Sequence, residues 1–184
     1  MAEESNYLDL DLWLDQNIIP RQNRLKAKFW EILAEVGNSF EPEKLQDIHS
    51  RSRGVKLSKG NDLLGYPYQV LDIIRDFDLT NGLNIRILNW FGHGLFLFVQ
   101  IGKNNPKAPF QELSENKWVF DQSSSPWDYP EILLNNAFTN SPTVSDFEKS
   151  TFYQWHKCIQ ISGEKTTIED EIMDELKKLI FLLS

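Results

Sequence analysis

The spacing of apolar and polar residues divides the chain into helical ends and a strand-rich middle. Over 21–36, Leu25, Phe29, Ile32, Leu33 and Val36 recur at i, i+4, i+7, i+8 and i+11, with Arg24, Lys26, Lys28, Glu31 and Glu35 largely off that stripe. This is the period of an amphipathic helix, and Gly37-Asn38 supplies its stop. Upstream, residues 7–19 fit two elements. Leu8, Leu10, Leu12 and Leu14 alternate as a strand would, whereas Leu8, Leu12 and Ile18/Ile19 recur near helical spacing, with Ser5 able to cap and Pro20 suited to the start of the next helix. A short helix is the preferred reading. Another is expected over 41–50, beginning near Pro42 with Leu45 and Ile48 facing inward. At the far end, from about Thr167, a stripe of Ile168, Ile172, Met173, Leu176, Leu179, Ile180 and Leu183 marks a final helix. Glu169, Asp170 and Glu171 are expected in its first turn and Lys177 and Lys178 later, as the helix dipole favours.

Between these ends the period shortens to two. Val55-Lys56-Leu57 is a short strand signal, Lys59-Gly60-Asn61 and Gly65-Tyr66-Pro67 read as turns, and 69–74 is an apolar run. Residues 83–91 and 95–101 are aliphatic and aromatic runs joined by Gly92-His93-Gly94, the pattern of a β-hairpin. Leu95, Leu97, Val99 and Ile101 share one face and Phe96 and Phe98 the other, so this strand is covered on both sides and central. Residues 103–150 are rich in Asn, Ser and Pro and show only Trp118-Val119-Phe120 as a strand fragment, with Ser123–Pro126 as a loop. Over 152–161, Tyr153, Trp155, Ile159 and Ile161 alternate with Gln154, His156, Cys158 and Gln160, a further strand. The expected fold is a single α+β domain over 1–184, a mainly antiparallel sheet in the middle of the chain packed by N-terminal and C-terminal helices.

The chain has 184 residues, 41% of them hydrophobic and 25% charged, enough apolar content to bury a core and against disorder or repeats. Its 19 basic and 27 acidic residues leave a net charge of -8 that repels phosphate backbones, so no nucleic-acid partner is expected. A single cysteine, Cys158, rules out an intrachain disulfide and suits a reducing cytoplasm. The N-terminus lacks the basic start and apolar run of a secretion signal, and no window is long and apolar enough to span a membrane, so no membrane partner is expected either.

Aromatic residues make up 12% of the chain, and Trp90, Phe91, Trp118, Phe120, Trp127, Tyr129 and Trp155 gather in the strands and loops. They form either the core or the wall of a groove for a flat ligand or a peptide. Arg51, Arg53, Lys56 and Lys59 form a basic island without an acid from 51 to 60. It can grip a phosphate or carboxylate, or it is a solvated face paired with acids elsewhere. His93 sits in the hairpin turn, where an exposed imidazole could act as acid, base or ligand or be a plain loop residue. Asp62, Asp72, Asp76 and Asp78 flank the same region without a spacing that forces two carboxylates together. His156 and Cys158 share a strand face; the simplest reading is a half-buried thiol and a surface imidazole. HExxH, CxxC, GxSxG and P-loop patterns are all missing, and no metal or cofactor is expected.

Three segments, Lys56-Leu57-Ser58-Lys59-Gly60, Gly65-Tyr66-Pro67-Tyr68-Gln69-Val70-Leu71-Asp72 and Ile85-Arg86-Ile87-Leu88-Asn89-Trp90-Phe91-Gly92, resemble a family of uncharacterised small bacterial proteins. That family joins a Ser-Lys-Gly segment to Gly-x-Pro-Tyr, a Leu-Asp pair and an aromatic-Gly hairpin. The resemblance covers roughly residues 55–101 and implies a bacterial, cytoplasmic protein without transferring any catalytic residue; His93 departs from the pattern. Two functions are therefore carried forward. The first is a non-enzymatic domain binding a small ligand or a protein through an aromatic-rich sheet face, with Trp90, Trp118 and His93 on it and Arg51 to Lys59 at its rim. The second is an enzyme acting on an anionic substrate held by Arg51 to Lys59, with His93 or a nearby Asp moving a proton. A homodimer through an exposed strand is compatible with either.

Overall fold

The structure, a computed structural model, describes residues 7–106 and 108–183. In chain order the elements are α1 (Leu10–Leu14), α2 (Ile18–Asn38), α3 (Pro42–Ile48), β1 (Lys56–Leu63), β2 (Tyr66–Asp76), β3 (Leu83–Trp90) and β4 (Gly94–Gly102). They continue with α4 (Phe110–Glu115), β5 (Val119–Asp121), α5 (Tyr129–Leu133), β6 (Phe138–Thr139), α6 (Val144–Lys149), β7 (Phe152–Ile159) and α7 (Lys165–Leu183). The strands make one sheet in the order β1-β2-β3-β4-β7-β5-β6, antiparallel at every pairing. The chain is thus α+β, with helices before and after a central antiparallel sheet, and β4 lies in the middle as its two apolar faces require. No helix among the described residues is long and apolar enough to cross a membrane.

One face of the sheet carries the aliphatic half of the alternation. Leu71, Ile85, Ile87, Leu97, Val99 and Trp155 pack there against Ile32, Leu33 and Val36 of α2 and Ile168, Ile172 and Leu176 of α7. Each fully buried side chain of this size contributes about 1.5–3 kcal/mol. A bulge in β2 inserts Ile73 between Asp72 and Ile74, so both isoleucines join this core and Arg75 moves to the opposite face beside Asn84. The stripe of α2 reaches the core only in its second half. Leu25 stays 48% exposed, because the first turns of the helix overhang the end of the sheet.

Several local readings are corrected by packing. Lys59-Gly60-Asn61 lies inside β1, where a Cβ at Gly60 would strike the ring of Tyr68 on the paired strand; the turn is at Leu64-Gly65, with φ of 54° and 82° and the Gly65 N–H donating to Asp62 at 2.8 Å. The proposed cap Ser5 is outside the described residues, and Asp9 caps α1 by accepting from the Leu12 N–H. α7 begins at Lys165, earlier than the stripe indicates, so Glu169 to Glu171 fall after its first turn. Lys165 pairs there with Glu35 of α2 at 3.1 Å, which joins the two covering helices.

Lys157 of β7 meets Glu175 of α7 at 2.6 Å. Burial pushes the Glu175 carboxyl up, but bonds from Lys157 and Lys178 outweigh it and hold the group below the ordinary range. A depressed folded value means stability that is present above the unfolded value and lost as pH falls. Glu175→Gln should therefore cost about 1 kcal/mol in urea unfolding at neutral pH. The gap should close on acidification, once the carboxyl is protonated in both states.

Candidate functional site

A groove lies between the second to fourth turns of α2 and the β1–β2 hairpin. The groove encloses about 450 Å³ and is lined by Asn23, Lys26, Trp30 and Glu31 from the helix and by Lys59, Asn61, Tyr68, Gln69 and Phe91 from the sheet. Lys59 is placed there because it alternates outward on β1, and its Nζ lies 5.1 Å from the centroid of the Trp30 ring. The floor is fixed by a buried amide relay: Asn89 donates to the Gln69 Oε1 at 3.1 Å, and Gln69 donates to the Lys26 carbonyl of α2 at 2.8 Å. That relay sets the separation of helix and sheet, and hence the width of the groove. Two lysines and three aromatic rings around a recess suit a flat anion.

Of the residues singled out in the sequence, Lys59 and Phe91 line this groove. Arg51 is at the opposite end of the β1–β2 pair, bonded to Asp76 at 3.1 Å and Asp78 at 3.2 Å; Asp76 also holds His49 at 2.7 Å. Arg53 lies beside it, its carbonyl accepting from Arg75 at 2.9 Å, and Lys56 is exposed on β1. The basic island is thus split, with Arg51 paired to the acids at and just after the end of β2. Trp118, 3% exposed, is in the core, and so are Trp90, Phe120, Tyr129 and Trp155. The aromatic-rich face is therefore interior packing, since inward alternation on strands covered from both sides leaves those rings no route to solvent. Phe91 is half-buried at the groove, and Trp127, 42% exposed, lies over the Arg86 guanidinium at 4.4 Å.

His93 is not the free loop imidazole that its turn position suggests. It is half-buried, 4.0 Å from the Trp90 ring centroid and 4.8 Å from that of Tyr66, with its Nε2 buried and without a hydrogen-bond partner. It lines a second, more apolar recess of about 470 Å³ on the other side of Phe91, with Leu25, Phe29 and Cys158. Cys158 is exposed and His156 buried, the reverse of the simplest sequence reading, because His156 faces the layer of loops over the sheet while Cys158 sits near the strand end. Partial burial pushes the Cys158 thiol up, which disfavours the nucleophilic thiolate.

A second polar assembly is buried on the face of the sheet away from α2 and α7. Arg86 donates to both carboxylate oxygens of Asp72, at 2.7 and 3.0 Å, and to the Tyr129 hydroxyl at 2.7 Å. Beyond Phe98, which separates the two pairs, His156 bonds Asp121, and Gln154 donates to the same carboxylate at 2.9 Å. Burial pushes the Asp121 carboxyl up, opposed by the bond to His156. Among the described residues neither pair has a serine, cysteine or threonine among its bonded partners, and neither lines the two recesses described above. Among the described residues no group of three or more His, Cys, Asp and Glu is placed to hold a metal ion.

Trp30 and Gln69 escaped the sequence reading. Both belong to elements that were recognised, but their role depends on helix–sheet packing, and the only available signal was a tryptophan off the apolar stripe of α2. No protein-family model matches this chain, and comparison with curated proteins and with solved structures likewise finds no match.

Proposed function

We propose that this protein is a non-enzymatic binding domain whose ligand is a small, flat, anionic molecule held in the groove between α2 and the β1–β2 hairpin. The observation that carries the reading is Lys59 over Trp30 at 5.1 Å in a recess shared with Lys26, Tyr68 and Phe91. A volume of about 450 Å³ suits a small molecule, and the lysines supply the only full positive charges on its wall. Supporting the non-enzymatic reading, the lining holds one acid, Glu31, and no histidine, cysteine or serine. The enzymatic alternative is less favoured, because Arg51 is already bonded to Asp76 and Asp78 and His93 borders a different recess. The single thiol and the resemblance over 55–101 support a bacterial, cytoplasmic setting for this binding activity.

Titration with 2-naphthoate and with a nucleoside monophosphate, followed by tryptophan fluorescence and thermal shift, tests it. Saturable binding with a raised Tm is expected. Lys59→Ala should weaken it about tenfold or more, the scale of one charge-assisted hydrogen bond, and Trp30→Ala comparably. Both residues are at least partly exposed, so the fold should survive either change. Absence of saturation by both probes, or binding indifferent to both substitutions, would overturn the proposal.

A further inference from the structure

Two adjacent stretches of the chain carry opposite charge. Residues 7–20 contain Asp9, Asp11 and Asp15 and no basic residue, whereas 21–28 contain Arg21, Arg24, Lys26 and Lys28 and no acid, a contrast of -3 against +4. The acidic stretch is also strongly apolar and largely exposed: Leu8 is 84% and Trp13 75% exposed, and α1 buries none of its residues. Its shape is nonetheless defined. Asp9 accepts from the Leu12 N–H at 2.9 Å and Asp15 from the Asn17 N–H at 2.7 Å, so it is a short capped arm ahead of α2. Among the described residues no ion pair joins this arm to the basic stretch.

The same helix supplies the complementary surface. Leu25 and Phe29 wall the apolar recess of about 470 Å³ at the end of the sheet, whose far rim is the exposed Ile161. At 100° per residue, Arg21, Arg24 and Lys28 lie along the flank of α2 next to this recess, on the side away from Lys26 and the ligand groove. Leu25 also lines a shallow surface groove together with Arg21, Arg24 and Lys28. An apolar trough edged by three cations is what an apolar arm bearing three aspartates would fit.

We propose that the arm 7–15 of one copy docks in this recess of a second copy. Its leucines and Trp13 cover Leu25, Phe29 and Ile161, and its aspartates face Arg21, Arg24 and Lys28. Repetition about a two-fold axis covers both arms and both recesses at once, a closed isologous dimer. The occupant is assigned as a second copy because arm and trough are complementary in both charge and polarity, and every chain carries one of each. The dimer is tested separately from the ligand proposal, since Lys59 and Trp30 line the groove and not the recess.

Sedimentation of the full chain tests this. A dimer at micromolar concentration is expected, weakening as salt screens the charge contacts. The exposed-site variants Trp13→Ser, Asp11→Lys and Arg24→Glu, checked for folding by circular dichroism, should each raise the dimer dissociation constant about tenfold or more. Mixing Asp11→Lys with Arg24→Glu should leave one arm contact native and turn the other into a swapped lysine–glutamate pair, and so give a heterodimer tighter than either variant alone. A wild-type chain that stays monomeric to about 100 μM, well above ordinary specific affinities, would overturn the proposal, as its arm is then covered by its own chain or by another protein. So would a dimer that all three substitutions leave intact.

Discussion

Arg86→Leu is expected to lower the unfolding free energy by about 3–5 kcal/mol, the scale for removing one partner of a buried ion pair. Among the described residues the guanidinium is the only cation bonded to Asp72, which is 3% exposed; without it the carboxylate keeps the Asn84 amide at 3.2 Å. The Tyr129 hydroxyl loses its donor at the same time, and Trp127 the surface on which it rests. The double variant Asp72→Leu/Arg86→Leu separates pair from packing. Removing both charges should recover most of the loss, because an apolar pair of similar volume needs no desolvation of ions. A single variant within about 1 kcal/mol of wild type in urea unfolding would show that the pair is solvated in a way its geometry denies.

The second large effect is expected at His156. Replacement by leucine leaves the Asp121 carboxyl, 4% exposed, with Gln154 as its side-chain donor among the described residues, and should also cost about 3–5 kcal/mol at neutral pH. Here the cost should depend on pH with a definite sign. Burial already pushes the Asp121 carboxyl up, and the His156 bond is what pulls it back. Without that bond the folded value rises further, and a raised folded value means stability that is present at low pH and lost as pH rises through it. The deficit of His156→Leu against wild type should therefore shrink on acidification toward the carboxylate range. A deficit that is flat or grows would show that the loss is one of packing against Phe98 and Phe138 rather than of charge.

These two pairs also mark the boundary of what sequence alone conveyed. The alternation in β7 placed Gln154 and His156 on the face opposite Trp155, and the runs of β3 and β4 specified a central hairpin, because sheet burial writes itself into period two. What covers the polar face was hidden. Asp121 arrives 35 residues before His156, from a segment whose short helices α4, α5 and α6 bury at most two residues each and so leave no period to read. The same holds for the ligand groove. Lys59 stood out as one of a basic run, but the residue that gives it a setting, Trp30, comes from a helix 29 positions upstream. Conversely, Arg51 and Lys59 looked alike in sequence and proved unlike, since Arg51 precedes β1 and meets Asp76 at the end of β2, whereas Lys59 lies within β1 beside Gln69.

The position of β7 bears on how the chain assembles. β4 is paired on one side by its hairpin neighbour β3, but its other side waits for β7, which follows only after residues 103–151. Pairings distant in sequence form late, because the loop entropy must be met before the contacts form. Until Phe152–Ile159 is synthesised and docked, a growing chain presents a nine-residue aliphatic and aromatic strand with an open hydrogen-bonding edge, the kind of surface that recruits other chains. Completion of the sheet, and protection from misassembly on the ribosome, thus rest on the C-terminal segment that also brings α7 over the core.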